Sequence, residues 1–133
     1  MDARARFAAA RVARLATAGA DGRPHLVPVC FAVDGDTVYS AVDELKPKAT
    51  LRLRRLRNVA ENPAVSLLVD HYSDDWSELW WVRAEGRARV LEAAPDAIAL
   101  LASRYSQYRD APPGGPVLAV DVERWAGWSA QRV

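Results

Sequence analysis

Two Asp-Gly pairs near the start of the chain constrain its fold more than any other feature. One lies in residues 19–22, between a predicted strand at 14–18 and a long predicted strand at 24–33. The other lies in residues 34–36, before a predicted strand at 37–42. Asp-Gly between alternating apolar residues is typical of tight β-hairpins. Because hairpins join antiparallel neighbours, we predict a barrel or curled sheet and not a doubly wound α/β fold.

The rest of the chain adds helices between later strands. We expect helices at 2–13, 48–61 and 94–109, and strands at 65–70, 79–91 and 116–122, with residues 71–78 as a loop. Gly86 indicates a bulge in the long strand, and Pro28 requires an edge position, a bulge or a ligand at its missing hydrogen-bond position. The prediction is a single α+β domain, residues 1–133, with about six antiparallel strands and three helices.

Composition narrows the function classes. The net charge is +1 over 133 residues, which argues against a general nucleic-acid-binding domain. The single cysteine, Cys30, excludes an internal disulfide and any zinc site built on cysteines. No apolar run has the length of a membrane span, and arginines interrupt the N-terminal stretch where a signal peptide would lie. We therefore expect a cytoplasmic protein without a membrane partner.

A local concentration of cations stands out against this neutral background. Lys46, Lys48, Arg52, Arg54, Arg55 and Arg57 follow one another with no acidic residue between Glu44 and Glu61. In a helix, an apolar stripe of Ala49, Leu53, Leu56 and Ala60 would be flanked by these cations on both sides. The segment is either a solvated basic helix or a site for a small anionic ligand.

Catalytic motifs are absent from the sequence. His25 and His71 have no nucleophile beside them, and their spacing matches no metal-ligand pattern, so no metal site is expected and no catalytic residue is identified. His25, at the start of a strand, is interpreted as a surface or half-buried residue, with a ligand contact as the lesser possibility. Cys30 is interpreted as a small core residue. No glycine-rich nucleotide motif is present.

Five tryptophans are many for so short a chain. Trp80 and Trp81 should point to opposite faces of one strand, and a subunit interface would cover the outer one. Trp125 and Trp128 belong to a tail that should pack on its own barrel or in a partner's cleft. Together with the basic helix and Pro28, these aromatic residues suggest a planar cofactor that carries a phosphate.

Several segments together resemble one known family. They are PHLVPVCFAVDGDTVYSAVD, KPKATLRLRRLRNVAENPAVSLLVDHY, WWVRAEGRARVL and the closing RWAGWSA. The chain is similar to the pyridoxamine 5′-phosphate oxidase-related split-barrel superfamily, and within it to a small actinobacterial group that depends on the deazaflavin coenzyme F-420. The resemblance implies an FMN-binding-like split β-barrel that forms a homodimer, with two cofactor sites between the subunits.

The resemblance also implies which residues bind the cofactor. The phosphate would be held by Arg55, with Arg54 before it and Arg57 in the same helix, or by Lys48 and Thr50 at the start of the helix. Val27, Pro28 and Val29 would lie beside the ring, and Trp125 or Trp128 near the partner's site.

The implied reaction is hydride transfer between reduced deazaflavin and an unidentified small substrate. One alternative is an FMN-binding flavoprotein. Another is a protein that carries, stores or senses a flavin, a deazaflavin or haem without turnover. F-420 has an acidic tail beyond its phosphate, so the long basic segment favours it over FMN. Oxidation of pyridoxamine phosphate is less favoured, because no second basic cluster is present for a substrate phosphate.

Overall fold

A computed structural model describes residues 2–42 and 51–131 of the chain, with side chains in the second range from residue 54 onward. This part of the chain contains seven strands, four α-helices and a short 3-10 turn at Trp76–Glu78. The helices are α1 (Ala3–Ala9), α2 (Leu51–Glu61), α3 (Pro95–Arg104) and α4 (Ser106–Asp110). The strands are β1 (Ala13–Ala18), β2 (Pro24–Val29), β3 (Ala32–Asp34), β4 (Thr37–Ala41), β5 (Ala64–His71), β6 (Trp80–Leu91) and β7 (Val117–Ser129). The prediction of a mainly β fold with added helices is confirmed, with seven strands instead of about six.

All seven strands form one antiparallel sheet in the order β2-β1-β5-β6-β7-β4-β3. The two edge strands, β2 and β3, are separated along the chain only by Cys30 and Phe31. Three Cα–Cα steps reach about 11 Å at most, whereas seven flat strands would extend over about 29 Å. The sheet must therefore curl until its two edges meet at this crossover.

The crossover corrects the expectation of one continuous strand at 24–33. The run is divided between the two edges of the sheet, so Val29 pairs with β1 whereas Ala32 pairs with β4. The two predicted hairpins are confirmed. Gly22 and Gly35 have φ values of 76° and 62° in their turns, a region that glycine enters without a steric penalty.

The helical segment before the last strand is broken at Tyr105, so the single predicted helix at 94–109 is two helices. Tyr105 is extended, with φ −121° and ψ 118°. Its buried hydroxyl accepts a hydrogen bond from the backbone N–H of Phe31 over 3.1 Å. Arg104 donates to the Phe31 carbonyl over 2.8 Å. The end of α3 therefore holds the crossover between the sheet edges, which a continuous helix would not do.

The last strand is longer than predicted. It was expected to end at Val122, but β7 continues to Ser129 and pairs with β6 along its whole length. The register shifts between Glu85 and Gly86, which confirms the bulge predicted at this glycine. A Cβ atom on Gly86 would lie 2.1 Å from the carbonyl oxygen of Asp121, so only glycine allows the two strands to approach here.

The core fills the inside of the curled sheet. Its largest fully buried side chains are Phe7, Phe31, Leu15, Leu67, Val38 and Val69. A second, smaller cluster joins α3 to the crossover, and Cys30 packs there as a partly buried side chain. None of the described helices combines the length and the apolar character needed to cross a membrane.

Candidate functional site

Helix α2 carries the basic segment, and its C-terminal half is tied to the sheet. Asn58, 4% exposed, donates a hydrogen bond from its amide to the hydroxyl of Thr17 on β1 over 3.1 Å. Glu61 accepts from the backbone N–H of Ala20 over 2.8 Å. A Cβ atom on Gly19 would lie 2.6 Å from the Glu61 carboxylate. The turn between β1 and β2 therefore approaches α2 closely because residue 19 has no side chain.

This anchoring sets the rotation of α2 about its axis and corrects the predicted apolar stripe. Leu56 packs against the core as expected, but Val59 is buried at 4% exposure. Ala60, which was predicted to face the core, is exposed. The helix turns toward the hydrogen bond of Asn58, and Val59 replaces Ala60 at the contact. Of the other two predicted positions, Ala49 and the side chain of Leu53 lie outside the described residues.

Three predicted phosphate-binding residues can be located on this helix. Arg54 and Arg55 are half-buried, whereas Arg57 is exposed. Lys48 and Thr50 lie outside the described residues. Exposure thus differs along α2: Arg57 is exposed to solvent, whereas Arg54 and Arg55 are partly covered and their charges act on His25 of β2.

His25 of β2 lies close enough to Arg54 and Arg55 for their charges to affect its pKa. Burial lowers the pKa of His25 below its usual 6.5, and the charges of Arg54 and Arg55 lower it further. Its Nδ1 is shielded from solvent and has no hydrogen-bond partner among the described residues. The sequence interpretation of His25 as a surface or half-buried residue agrees with its half-buried position, and the alternation of PHLVPV places it on the same strand face as Val27.

Strand alternation separates the three residues predicted to lie beside a cofactor ring. Val27 and Val29 pair with Leu15 and Ala13 and contact the core. Pro28 points to the opposite, outer side and is exposed. Within the described part of the chain β2 pairs with β1 alone, so the predicted edge position of this proline is confirmed. The structure brings Val27 to the same side as His25, and places Pro28 on the other.

Trp125 and Trp128 also lie on opposite faces of one strand, β7. Trp125 donates from Nε1 to the Asp36 carboxylate over 2.9 Å and meets Phe7 edge-on, with ring centroids 5.3 Å apart. This hydrogen bond, and then Arg4, lowers the pKa of Asp36. Trp128 is 50% exposed. Of the two, Trp125 therefore packs on its own barrel.

The outer side of the sheet carries several apolar side chains that are partly or largely exposed. We call this surface the outer face and define it by Leu26, Pro28, Leu68, Trp81 and Trp128. Trp81 pairs directly with Trp128, and the Arg83 guanidinium lies 5.1 Å from the Trp81 ring. Trp80 points to the other side and packs against the core, which confirms that these neighbouring tryptophans face opposite ways.

Known proteins resemble this chain in part of its sequence or in its fold. A reductase of 5a,11a-dehydrotetracycline and 5a,11a-dehydrooxytetracycline from Streptomyces rimosus is 44% identical over 57 residues, 43% of this chain. The aligned segment covers 38% of that relative. An FAD-binding protein from Mesorhizobium loti superposes with a TM-score of 0.66 at 22% identity, covering 91% of this chain and 87% of that one. HutZ, a haem storage protein from Vibrio cholerae, superposes with a TM-score of 0.69 at 17% identity, covering 90% and 85%.

The match to a family extends over almost the whole sequence. Residues 2–129 fit the family described as pyridoxamine 5′-phosphate oxidase, which confirms the resemblance read from the sequence motifs. The curled antiparallel sheet, closed at a two-residue crossover and covered by short helices, has the split-barrel architecture expected from that resemblance. The chain is thus a split-barrel protein of the pyridoxamine 5′-phosphate oxidase family.

Proposed function

We propose that this protein is an oxidoreductase that binds F-420 and transfers a hydride between the reduced deazaflavin and a small organic substrate. The observation that carries the proposal is the position of Arg54 and Arg55, half-buried on α2 and near enough to β2 to lower the pKa of His25. Adjacent guanidinium groups that are partly withdrawn from water are well suited to hold a phosphate, because each offers several N–H donors and a permanent charge.

The similarity to a reductase supports turnover as the role of this site. That relative is named for reducing dehydrotetracyclines, and its 57 aligned residues are 44% identical to this chain. An unsaturated organic compound is therefore the substrate class that we propose here. The split-barrel fold itself is compatible with flavin binding, since the superposed Mesorhizobium loti protein binds FAD.

Each element of the site has a distinct task in this proposal. Arg54 and Arg55 bind the cofactor phosphate, and the exposed Arg57 meets the acidic tail of F-420. Lys48 and Thr50 extend the same track at the start of the helix. Val27 offers an apolar surface beside the phosphate site, where it helps exclude water. Bound F-420 supplies the hydride chemistry, so the protein's own residues bind, orient and shield.

We further propose that two copies form the working unit. The outer face exposes 67% of Leu26 and 50% of Trp128, and it also carries Pro28 and Trp81. Large exposed apolar side chains on one sheet surface are typical of protein interfaces. A second copy on this face would bury them and would place Trp128 of each chain near the partner's cofactor site.

FMN is the alternative cofactor, because the Arg54–Arg55 pair would hold its phosphate equally well. The acidic tail of F-420 is the difference, and only F-420 gives Arg57 a partner in the complex. A carrier role for haem is the second alternative, favoured by the superposition with the haem storage protein HutZ. His25 and His71 are the two histidines of the chain, and histidine is a frequent axial ligand of haem iron.

The deciding experiment is a titration of the purified protein with F-420, FMN and haemin, followed by tryptophan fluorescence quenching. We expect F-420 to bind more tightly than FMN, with the difference shrinking as salt is raised, because the acidic tail contributes through charge. Tight binding of FMN without binding of F-420 would show that FMN, not F-420, is the cofactor. Binding of haemin alone would favour the carrier role over the proposed enzyme. Oxidation of reduced F-420 by unsaturated ketones then tests turnover.

A further inference from the structure

His25 has a position that the proposed function does not use. It lies directly opposite Thr17 in the antiparallel register of β1 and β2, and directly opposed residues project to the same side of a sheet. The Thr17 hydroxyl in turn accepts a hydrogen bond from Asn58 of α2. The imidazole is therefore on the side of the sheet that α2 covers, half-buried at the edge strand.

Among the described residues, the charged groups that act on His25 come from α2. Arg54 and Arg55 act on the imidazole, whereas β1 contributes the neutral Thr17 opposite it. Glu61, the acidic residue of α2, is bonded to the backbone N–H of Ala20 at the hairpin turn. Burial and the two arginines lower the pKa of His25 below 6.5, so the free protein holds a neutral imidazole beside two cations at pH 7.

The surroundings of this imidazole make its protonation sensitive to a bound anion. Its Nδ1 is buried and lacks a hydrogen-bond partner among the described residues. Because this nitrogen is shielded in the free protein, water does not stabilise a positive charge there, and protonation would add an uncompensated charge next to two others. A phosphate held by Arg54 and Arg55 would reverse that balance, because it carries one negative charge as the diester in F-420 and about −1.5 to −2 charges near pH 7 as a monoester such as FMN.

We propose that His25 is a third ligand-binding residue of this site, and that a phosphate held by Arg54 and Arg55 is bound together with one proton, which His25 takes up from solvent. The inference rests on the proposed function for the nature of the ligand, a cofactor that bears a phosphate. It adds the identity of a residue in contact with that phosphate and a proton to the binding equilibrium.

The sign of the pH dependence follows from linkage. If the ligand raises the pKa of His25, affinity increases as pH falls from above the pKa of the complex to below that of the free protein. Each unit of difference between the two pKa values corresponds to a tenfold change in affinity. A phosphate monoester and the inorganic phosphate used as a probe also titrate in this pH range, so the contribution of His25 is the difference between the wild type and His25→Gln.

Proton NMR of the imidazole ring signals tests the proposal directly, because the chain has only two histidines. His25→Gln and His71→Gln assign the two signals, and His71, which stacks on Trp80 with centroids 6.3 Å apart, is the internal control. Both signals are followed from pH 5 to 8.5 in a non-phosphate buffer, without and with saturating inorganic phosphate. The measurement is repeated with Arg54→Ala/Arg55→Ala.

We expect phosphate to move the titration midpoint of His25 to higher pH, to leave that of His71 in place, and to have no effect on His25 in the double arginine variant. We also expect His25→Gln to lose several-fold more affinity for phosphate at pH 6 than at pH 8.5, with its thermal midpoint close to that of the wild type. An unchanged His25 midpoint, or an equal shift in the double variant, overturns the inference. Failure of F-420 and FMN to bind while phosphate still moves His25 would instead reject the proposed function alone.

Discussion

The side chains of Asn58 and Thr17 meet in a hydrogen bond of 3.1 Å, and both residues are 4% exposed. This contact joins the basic helix to β1 and fixes which side of the helix faces the sheet. Mutating one residue of such a buried polar pair affects stability differently from mutating both. Losing one partner leaves the other unsatisfied, whereas replacing both with apolar groups of similar shape is nearly neutral.

We therefore expect Thr17→Val and Asn58→Leu each to lower the free energy of unfolding by about 1–3 kcal/mol, because each leaves a buried polar group without its partner. The double variant should lose less than the sum of the two. Urea denaturation of the four proteins measures the coupling. Strictly additive losses would show that the hydrogen bond does not tie α2 to β1.

Gly86→Ala should be among the most damaging substitutions of a small residue. The Cβ atom of the alanine would lie 2.1 Å from the carbonyl oxygen of Asp121. This oxygen belongs to the paired backbone, so it cannot move aside as the end of a flexible side chain could. We expect a loss of at least about 1–3 kcal/mol in the free energy of unfolding. Gly127→Ala is the matched control on the same strand pair, since its nearest contact would be 3.5 Å. Equal thermal midpoints for the two variants would contradict this account.

Arg54→Ala and Arg55→Ala should each weaken cofactor binding about tenfold or more, because each removes a charge-assisted hydrogen bond of about 1.5–3 kcal/mol. Lys48→Ala should act in the same direction if the start of the helix shares the phosphate. The control is Arg87→Ala, an exposed arginine of β6 on the other side of the sheet from the core. Isothermal titration with F-420 gives the affinities, and negligible effects in all variants would make α2 a solvated basic helix.

Asp121→Asn should destabilise the fold near neutral pH and have no effect in acid. Hydrogen bonding to Arg89, which donates from Nε over 2.8 Å, lowers the pKa of Asp121 in the folded protein. The stabilisation is therefore present above the unfolded pKa of about 3.9 and is lost as pH falls through the lower folded value. Both side chains are about half exposed, so we expect about 0.5–1 kcal/mol. Urea midpoints at pH 7 and pH 2.5 test this, and an equal loss at both values would contradict it.

Charges placed on the outer face should separate the proposed dimer. We expect the wild type to sediment as a dimer, and Leu26→Glu and Trp128→Glu to sediment as monomers, because a carboxylate buried in an apolar interface has no partner. Trp76→Glu is the control: Trp76 is 70% exposed, but it lies in the 3-10 turn Trp76–Glu78 and not on a strand of the outer face. A monomeric wild type, or dimers in all variants, would reject this surface as the interface.

Much of this fold could be predicted from the sequence, because the features concerned depend on local interactions. The Asp-Gly turns, the antiparallel pairing that they require, the bulge at Gly86 and the opposite directions of Trp80 and Trp81 all depend on residues close together in the chain. The motifs around the basic segment likewise indicated the split-barrel family. Such features follow from turn geometry and from the two-residue period of a strand, and both act within a few residues.

Other features arise only when distant segments meet. The crossover at Cys30 and Phe31 is held by Tyr105, which also divides the helix that periodicity predicts as continuous. The continuation of β7 to Ser129 requires β6 as its template. The hydrogen bond of Asn58 to Thr17 turns Ala60 outward, and that same rotation brings Arg54 and Arg55 to His25. Sequence patterns thus determined which segments would be strands and which would carry charge, whereas packing between segments far apart in the chain decided which charges share a site.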